Sequence, residues 1–252
     1  MAKIKIGVIP SAGLGSRMFP YTKVSNKVML PIINKPAIDY QIKELTNAGI
    51  TEIYITGRYL KGVKDYFKHD IKLEHLTENF GHRDTIQKLR LANKPCTLHF
   101  ISQPEPKGWM YEIYQLQSKL KGEAFIVALS DIIIEGNPLQ ELIDKFHETN
   151  LHIYSSGRYI FGPTIFEVLN KQKYFLGDDT HVVTNVTKEL SATANLLHMA
   201  LKGKRCDIGS PIEYLKTITY FGLKDAETKN EYLEHLRNLC QSPVIKENPP
   251  KA

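Results

Sequence analysis

Ile4-Lys5-Ile6-Gly7-Val8-Ile9-Pro10 runs without a break into Ser11-Ala12-Gly13-Leu14-Gly15-Ser16-Arg17-Met18-Phe19-Pro20. An apolar run of strand length ends on a turn that holds two glycines and an arginine. Glycine tolerates left-handed backbone and lets N–H groups approach a polyphosphate without a Cβ in the way, while Arg17 and Lys27 can neutralise its charge. Two familiar phosphate loops are excluded. A dinucleotide fingerprint needs a third small residue where Met18 stands, and a P-loop needs Gly-Lys-Ser/Thr. Read by itself, the segment is compatible with a phosphate cradle or with a tight turn beside an incidental arginine.

The pattern continues outward from this turn. A helix is predicted from Ala37 to Ala48, with Ile38, Ile42 and Leu45 on one face, Pro36 at its start and Gly49 as a stop, and a strand follows from Glu52 to Thr56. Further strands are expected at Thr97 to Ser102, Ala124 to Leu129 and Leu196 to Leu201. Further helices are expected at Tyr111 to Leu120, Leu139 to Glu148, Pro163 to Lys171, Ser210 to Tyr220 and Ala226 to Leu239. Strands alternating with amphipathic helices argue for an α/β fold with a largely parallel sheet. Residues 1–240 read as one domain, and Gln241 to Ala252, with three prolines, as a mobile tail.

Composition sets the outer limits. The 252 residues are 42% hydrophobic and 24% charged, which excludes a disordered, collagenous or coiled-coil chain. No apolar run approaches the roughly 18 to 20 residues of a membrane span, and the first residues hold no signal-peptide core, so the chain reads as soluble with no membrane partner. Cys96, Cys206 and Cys240 are odd in number and far apart, which suits a reducing cytoplasm. The net charge of +6 is spread along the chain and favours anionic ligands. No zinc-finger spacing or aromatic RNA-binding signature accompanies it, so no nucleic-acid partner is expected.

Asp131 follows the strand Phe125-Ile126-Val127-Ala128-Leu129-Ser130, at the carboxyl end where α/β sheets collect ligands. Taken alone, Asp131 also reads as a cap and Asp207 as a turn residue.

Ala12-Gly13-Leu14-Gly15-Ser16-Arg17, with Pro20, Thr22, Lys27 and Leu30-Pro31, resembles the signature of the sugar-nucleotide pyrophosphorylases, and within them the bacterial UTP–glucose-1-phosphate uridylyltransferases. Pro36 to Tyr40, Asn47 to Ile53, Gly157-Arg158-Tyr159 and Lys202 to Gly209 extend the resemblance in order and spacing. It implies a Rossmann-like three-layer α/β/α fold with a mixed, mainly parallel sheet, and a homo-oligomer. The implied reaction joins UTP to glucose 1-phosphate with magnesium, giving UDP-glucose and pyrophosphate. By the same resemblance Arg17 and Lys27 hold the triphosphate, Ala12, Gly13 and Gly15 form the nucleotide loop, and Gln103 and Gly108 meet the uracil. Asp131 and Asp207 are the implied magnesium ligands.

The departures from that pattern carry information too. Val28 stands where the family has glutamate, and Asn26 where it has proline. In Gly108-Trp109-Met110-Tyr111-Glu112 the second glycine of the family's loop has become Met110, and the family's His-Ala-Val helix start is gone. A long side chain at Met110 is expected to crowd the base. The family's long insertion between Asn150 and Ser155, with its Val-Glu-Lys-Pro motif, is missing, and Gly177 to Thr184 loses a final carboxylate at Thr184. Two readings follow: an active, shortened transferase in which Lys202 or Lys204 replaces the missing lysine, or an impaired relative that binds nucleotide or a partner enzyme. Trp109 and Tyr111 read as base-stacking or core residues, and Tyr54, Tyr59 and Tyr66 as core and rim of the sheet. His69, His75 and His82 read as a solvated face.

Overall fold

The computed structural model describes residues 3–242, apart from residues 91, 93, 121, 137 and 173–178. Gly177, Asp178 and the expected tail beyond residue 242 lie outside the described residues. The strands are β1 (Ile6–Ser11), β2 (Pro31–Ile32), β3 (Lys35–Pro36), β4 (Glu52–Gly57), β5 (Thr97–Ser102), β6 (Phe125–Ala128), β7 (Ile132–Glu135), β8 (His152–Tyr154), β9 (Arg158–Phe161), β10 (Leu196–His198) and β11 (Lys204–Asp207). The helices are α1 (Ala37–Asn47), α2 (Leu60–Phe67), α3 (Ile71–Asn79), α4 (Ile86–Arg90), α5 (Trp109–Tyr114), α6 (Gln117–Leu120), α7 (Pro138–Thr149), α8 (Ile165–Asn170), α9 (Asp179–Ala192), α10 (Pro211–Gly222) and α11 (Lys229–Gln241).

Seven strands form the central sheet in the order β10-β8-β9-β6-β1-β4-β5. All neighbours are parallel except at β9, which opposes both β6 and β8. The expected mixed, mainly parallel α/β sheet is therefore present. Every residue of β1 and β6 is buried, as a parallel sheet covered on both faces requires. Alternate side chains serve opposite layers. Ile9, Ile53, Ile55 and Ile126 pack with Ile38, Ile42 and Leu45 of α1 and Leu142 of α7. Val8, Tyr54, Phe125 and Val127 pack with Met110 and Ile113 of α5, Ile165 of α8 and Val186 of α9. A smaller core of Leu30, Ile32, Ala37, Ile133, Cys206 and Ile208 lies under the antiparallel pair β7 and β11.

Some sequence-based boundaries shift. The helix expected from Tyr111 to Leu120 is two short helices, α5 and α6, and the strand expected to reach Leu201 stops at His198. Only Tyr54 of the three tyrosines lies in the sheet. Tyr59 precedes α2 in left-handed conformation and is exposed, and Tyr66 lies on α2, where its hydroxyl donates to Asp39 at 3.2 Å. Where the resembled family carries its insertion, α7 passes through Asn150 and Leu151 straight into β8.

One buried titratable group belongs to this frame. Gly162 N donates to His152 Nδ1 at 3.0 Å, so the imidazole proton sits on Nε2, which meets Thr164 Oγ1 at 3.1 Å. Burial pushes the His152 pKa down to about 4. The folded protein therefore keeps this imidazole neutral while the unfolded chain protonates it below its ordinary value of about 6.5. Stability from this site is complete above that value and is lost as the pH falls towards 4. Urea unfolding at pH 7.5 and pH 4.5 should show the wild-type protein losing about 2 to 3 kcal/mol more over this window than His152→Gln. Equal losses would exclude His152 as the source.

Candidate active site

Three loops meet at the carboxyl edge of the sheet. The first leaves β1 at Ser11, and its turn is set by Gly15 in left-handed conformation, with φ 62°, where Thr22 Oγ1 donates to Gly15 O at 2.9 Å. The second leaves β5 at Gln103 and returns through Gly108 into α5. The third is the Leu129–Asp131 connection from β6 to β7. Together they enclose a cleft of about 390 Å³, lined by Gly13, Gly15, Arg17, Lys27, Gly108, Trp109, Asp131 and Gly209, among others. Beyond its chain neighbours, no described atom lies within 4 Å of the place a Cβ would take at Gly13, so this glycine leaves room in the cleft rather than serving the chain's own packing.

The charged groups form one cluster. Lys27 Nζ lies 2.9 Å from Asp131 Oδ2. Asp207 reaches the same place because β11 pairs with β7, and Ile208 N donates to Asp131 O at 2.9 Å. Gly209 marks the point of convergence: a Cβ there would stand 3.0 Å from Arg17 Nη2, 3.0 Å from Asp207 Oδ1 and 3.5 Å from Asp131 Oδ2. Burial pushes the Asp131 carboxyl pKa up, but the Lys27 ammonium, its hydrogen bond and the more distant Arg17 outweigh it and hold Asp131 below the usual range. Asp207 accepts from Gly209 N at 2.6 Å and from Arg205 Nη2 at 3.1 Å. Among the described residues no group of three or more His, Cys, Asp or Glu could hold a metal. Two carboxylates alone suit magnesium, which takes one or two protein carboxylates and completes its shell with substrate phosphates and water.

The sequence candidates do not all reach the wall. Arg17, Lys27, Gly13, Gly15, Gly108 and Asp131 line the cleft, and Asp207 adjoins it beside Gly209. Ala12 is fully buried behind it. Gln103 is 1% exposed and does not line it; its Nε2 donates to Glu105 O at 2.9 Å, and its Oε1 has no partner among the described residues. Lys202 pairs with Glu141 of α7 at 3.1 Å, and Lys204 lies over the Tyr220 ring at 5.6 Å. Neither of these lysines lines the cleft, because β11 and the turn before it carry them to other surfaces.

Met110 does not crowd the base loop. It is fully buried and packs into the layer with Ile113 and Val8. Trp109 lines the cleft and stacks on Tyr159 with centroids 4.9 Å apart at 16°. His69 is half exposed and contacts Glu74 at 2.9 Å, and Arg90 pairs with the same carboxylate at 2.9 Å. Sequence reasoning missed Glu112. It is 2% exposed, and its carboxylate accepts from Ser11 N at 2.8 Å, from Ala12 N at 3.1 Å and from the Thr56 hydroxyl.

The nucleotidyl transferase family model matches residues 6–154. The chain belongs to the nucleotidyl transferase family. This nucleotidyl transferase is 28% identical over 293 aligned positions to the UTP–glucose-1-phosphate uridylyltransferase of Bacillus subtilis, covering 97% of this chain and 100% of that protein. It is 29% identical to UTP–glucose-1-phosphate uridylyltransferase 2 of Staphylococcus saprophyticus, covering 95% of this chain and 99% of that one. The solved structure of a UTP-bound UGPase from Acinetobacter baumannii superposes with a TM-score of 0.85 at 21% identity, covering 94% of this chain and 99% of that chain. The Bacillus alignment runs longer than the 252 residues of this nucleotidyl transferase, so that relative carries residues this one lacks. Among the described residues no helix is long and apolar enough to cross a membrane.

Proposed function

We propose that this nucleotidyl transferase transfers the uridylyl group of UTP to glucose 1-phosphate, giving UDP-glucose and pyrophosphate. The observation that carries the reading is the convergence of Arg17, Lys27, Asp131 and Asp207 around Gly209, at a cleft that the glycine turn also lines. In-line transfer needs two anionic phosphates brought together and a leaving pyrophosphate stabilised, with no covalent intermediate. A sugar-phosphate oxygen attacks the α-phosphorus, the bond to the bridging oxygen breaks, and pyrophosphate leaves with the electron pair. Arg17 neutralises charge on the triphosphate by its planar fork, and Lys27 by a point charge at the Asp131 side. Asp131 and Asp207 would hold magnesium, which supplies further neutralisation of the phosphates. Gly13, Gly15 and Gly108 give the nucleotide its space. Gln103, buried beneath the cleft rather than lining it, shapes the loop that carries Gly108 through its Nε2 bond to Glu105 O.

A second reading has its own observation. Neither Lys202 nor Lys204 lines the cleft, and the family's sugar-side segment is absent, so a nucleotide-binding relative without turnover is the alternative. Pyrophosphate release from UTP, glucose 1-phosphate and magnesium separates the two. The wild-type protein is expected to release pyrophosphate only when both substrates are present. Trp109 is the sole tryptophan and lines the cleft, so its fluorescence reports nucleotide binding independently. Binding of UTP without pyrophosphate release would replace the transfer reading with the second one.

A further inference from the structure

Glu112 is a carboxylate buried in the first turn of α5. Its carboxylate belongs to α5, the helix that the Gly108 loop enters, yet its partners lie elsewhere. Ser11 N donates to Oε2 at 2.8 Å and Ala12 N donates to Oε1 at 3.1 Å, at the point where β1 gives way to the glycine turn. The Thr56 hydroxyl, from the end of β4, also donates to Oε2. A single carboxylate thus joins the loop after β1, the end of β4 and the start of α5. We propose that Glu112 is a positioning residue that locks the Gly13 loop to the Gly108 loop and sets nucleotide affinity apart from sugar-phosphate affinity. This rests on the nucleotidyl-transfer reading above.

Met110 and Glu112 act together at the start of α5. Small residues allow a helix to begin close to the strand ends, whereas here Met110 fills the layer beneath with its side chain and Glu112 ties the helix to the backbone of β1. The anchoring bonds are charge-assisted, and they stand at buried N–H groups that would otherwise lack a partner. The effect is directional within the cleft. Ser11, Ala12 and Thr56 end β1 and β4, on the side of the sheet that leads to β5 and Gln103. Asp131 and Gly209 stand on the other side, after β6 and β11. Loosening Glu112 therefore disturbs the nucleoside half and leaves the phosphate-acceptor half in place.

Glu112→Gln is the direct test, because the amide keeps the size of the side chain but turns an NH2 group towards backbone N–H donors. Titration of Trp109 fluorescence with UTP and magnesium should give a Kd about tenfold higher than wild type. The KM for UTP should rise similarly while the KM for glucose 1-phosphate stays within about twofold. A role in stability alone would lower Tm without this split. The proposal is overturned if the folded variant binds UTP within about twofold of wild type, or if both KM values rise together. Should Glu112→Gln fail to fold, Thr56→Val removes one donor only and is expected to raise the UTP Kd by about threefold, an unchanged Kd again overturning the proposal. If wild type binds UTP without turning over, the Kd alone decides. A wild-type protein that binds no UTP overturns both this proposal and the reading beneath it.

Discussion

Replacing Asp131 by alanine is expected to lower the rate of pyrophosphate release by at least about 100- to 1,000-fold, the loss typical of removing one group that stabilises transition-state charge. Nucleotide binding should behave differently. In the wild-type cleft Asp131 holds Lys27 at 2.9 Å, so the variant leaves the Lys27 ammonium without that carboxylate. UTP should bind Asp131→Ala as tightly as wild type or more tightly, as read from Trp109 fluorescence. The pair is partly open to solvent, so its loss should cost no more than about 1 kcal/mol of stability. A folded variant that keeps wild-type turnover would remove Asp131 from the mechanism. Loss of UTP binding in parallel with turnover would instead assign Asp131 to binding.

The second large effect concerns stability. Arg158 is completely buried, with Nε 3.0 Å and Nη2 2.6 Å from the two oxygens of Glu44. It also donates to Gly157 O at 2.9 Å and to Ile132 O at 3.0 Å. Arg158→Met strands the Glu44 carboxylate in the core and removes a donor from two carbonyls. The expected loss is about 3 to 5 kcal/mol, because breaking a buried pair leaves an uncompensated charge. In a chain of this size that lowers Tm by on the order of 10 °C. The double variant Arg158→Met, Glu44→Leu should recover much of the loss, since it removes both charges together. Urea unfolding of the wild type and the two variants checks both statements. A single variant within about 1 kcal/mol of wild type would mean that the pair contributes little.

Several parts of this molecule were legible in the sequence because each announces itself locally. The apolar run before Gly13, the spacing of Ile38, Ile42 and Leu45, and the strand from Thr97 to Ser102 depend only on neighbouring residues, and the structure has them where the patterns end. The stretch from Leu60 to Arg90 carries little readable pattern, and α2 within it buries only Leu60 and Val63. Helices α3 and α4 bury no residue, and the apolar Ile71, Leu73 and Leu76 of α3 are exposed, so their sequence marks no core-facing side. Strands β7, β8, β9 and β11 are only three or four residues long, and β7 finds its partner far along the chain in β11. The approach of Asp207 to Asp131 depends on that distant pairing, so residue spacing could not reveal it and only the family resemblance suggested it. Glu112 was silent because its partners are backbone N–H groups about a hundred residues away. The only local signal was a glutamate among buried neighbours at the start of a helix. Lys202 and Lys204 misled because charge says nothing about which surface a turn presents.

Helix α1 has one more consequence. Its apolar face is part of the central core, and its polar residues reach the loop beside Asp131: Gln41 Nε2 donates to Leu129 O at 3.1 Å and to Ile132 O at 3.2 Å, and Glu44 secures Arg158. The aspartate loop is thus braced by the same helix that closes one layer of the fold. Many enzymes place their reacting groups on segments that open locally while the rest of the molecule stays intact. With the bracing of Gln41 and Glu44, the proposed transfer activity is expected to be lost on heating together with the global fold, which activity and circular dichroism melts on one sample would check.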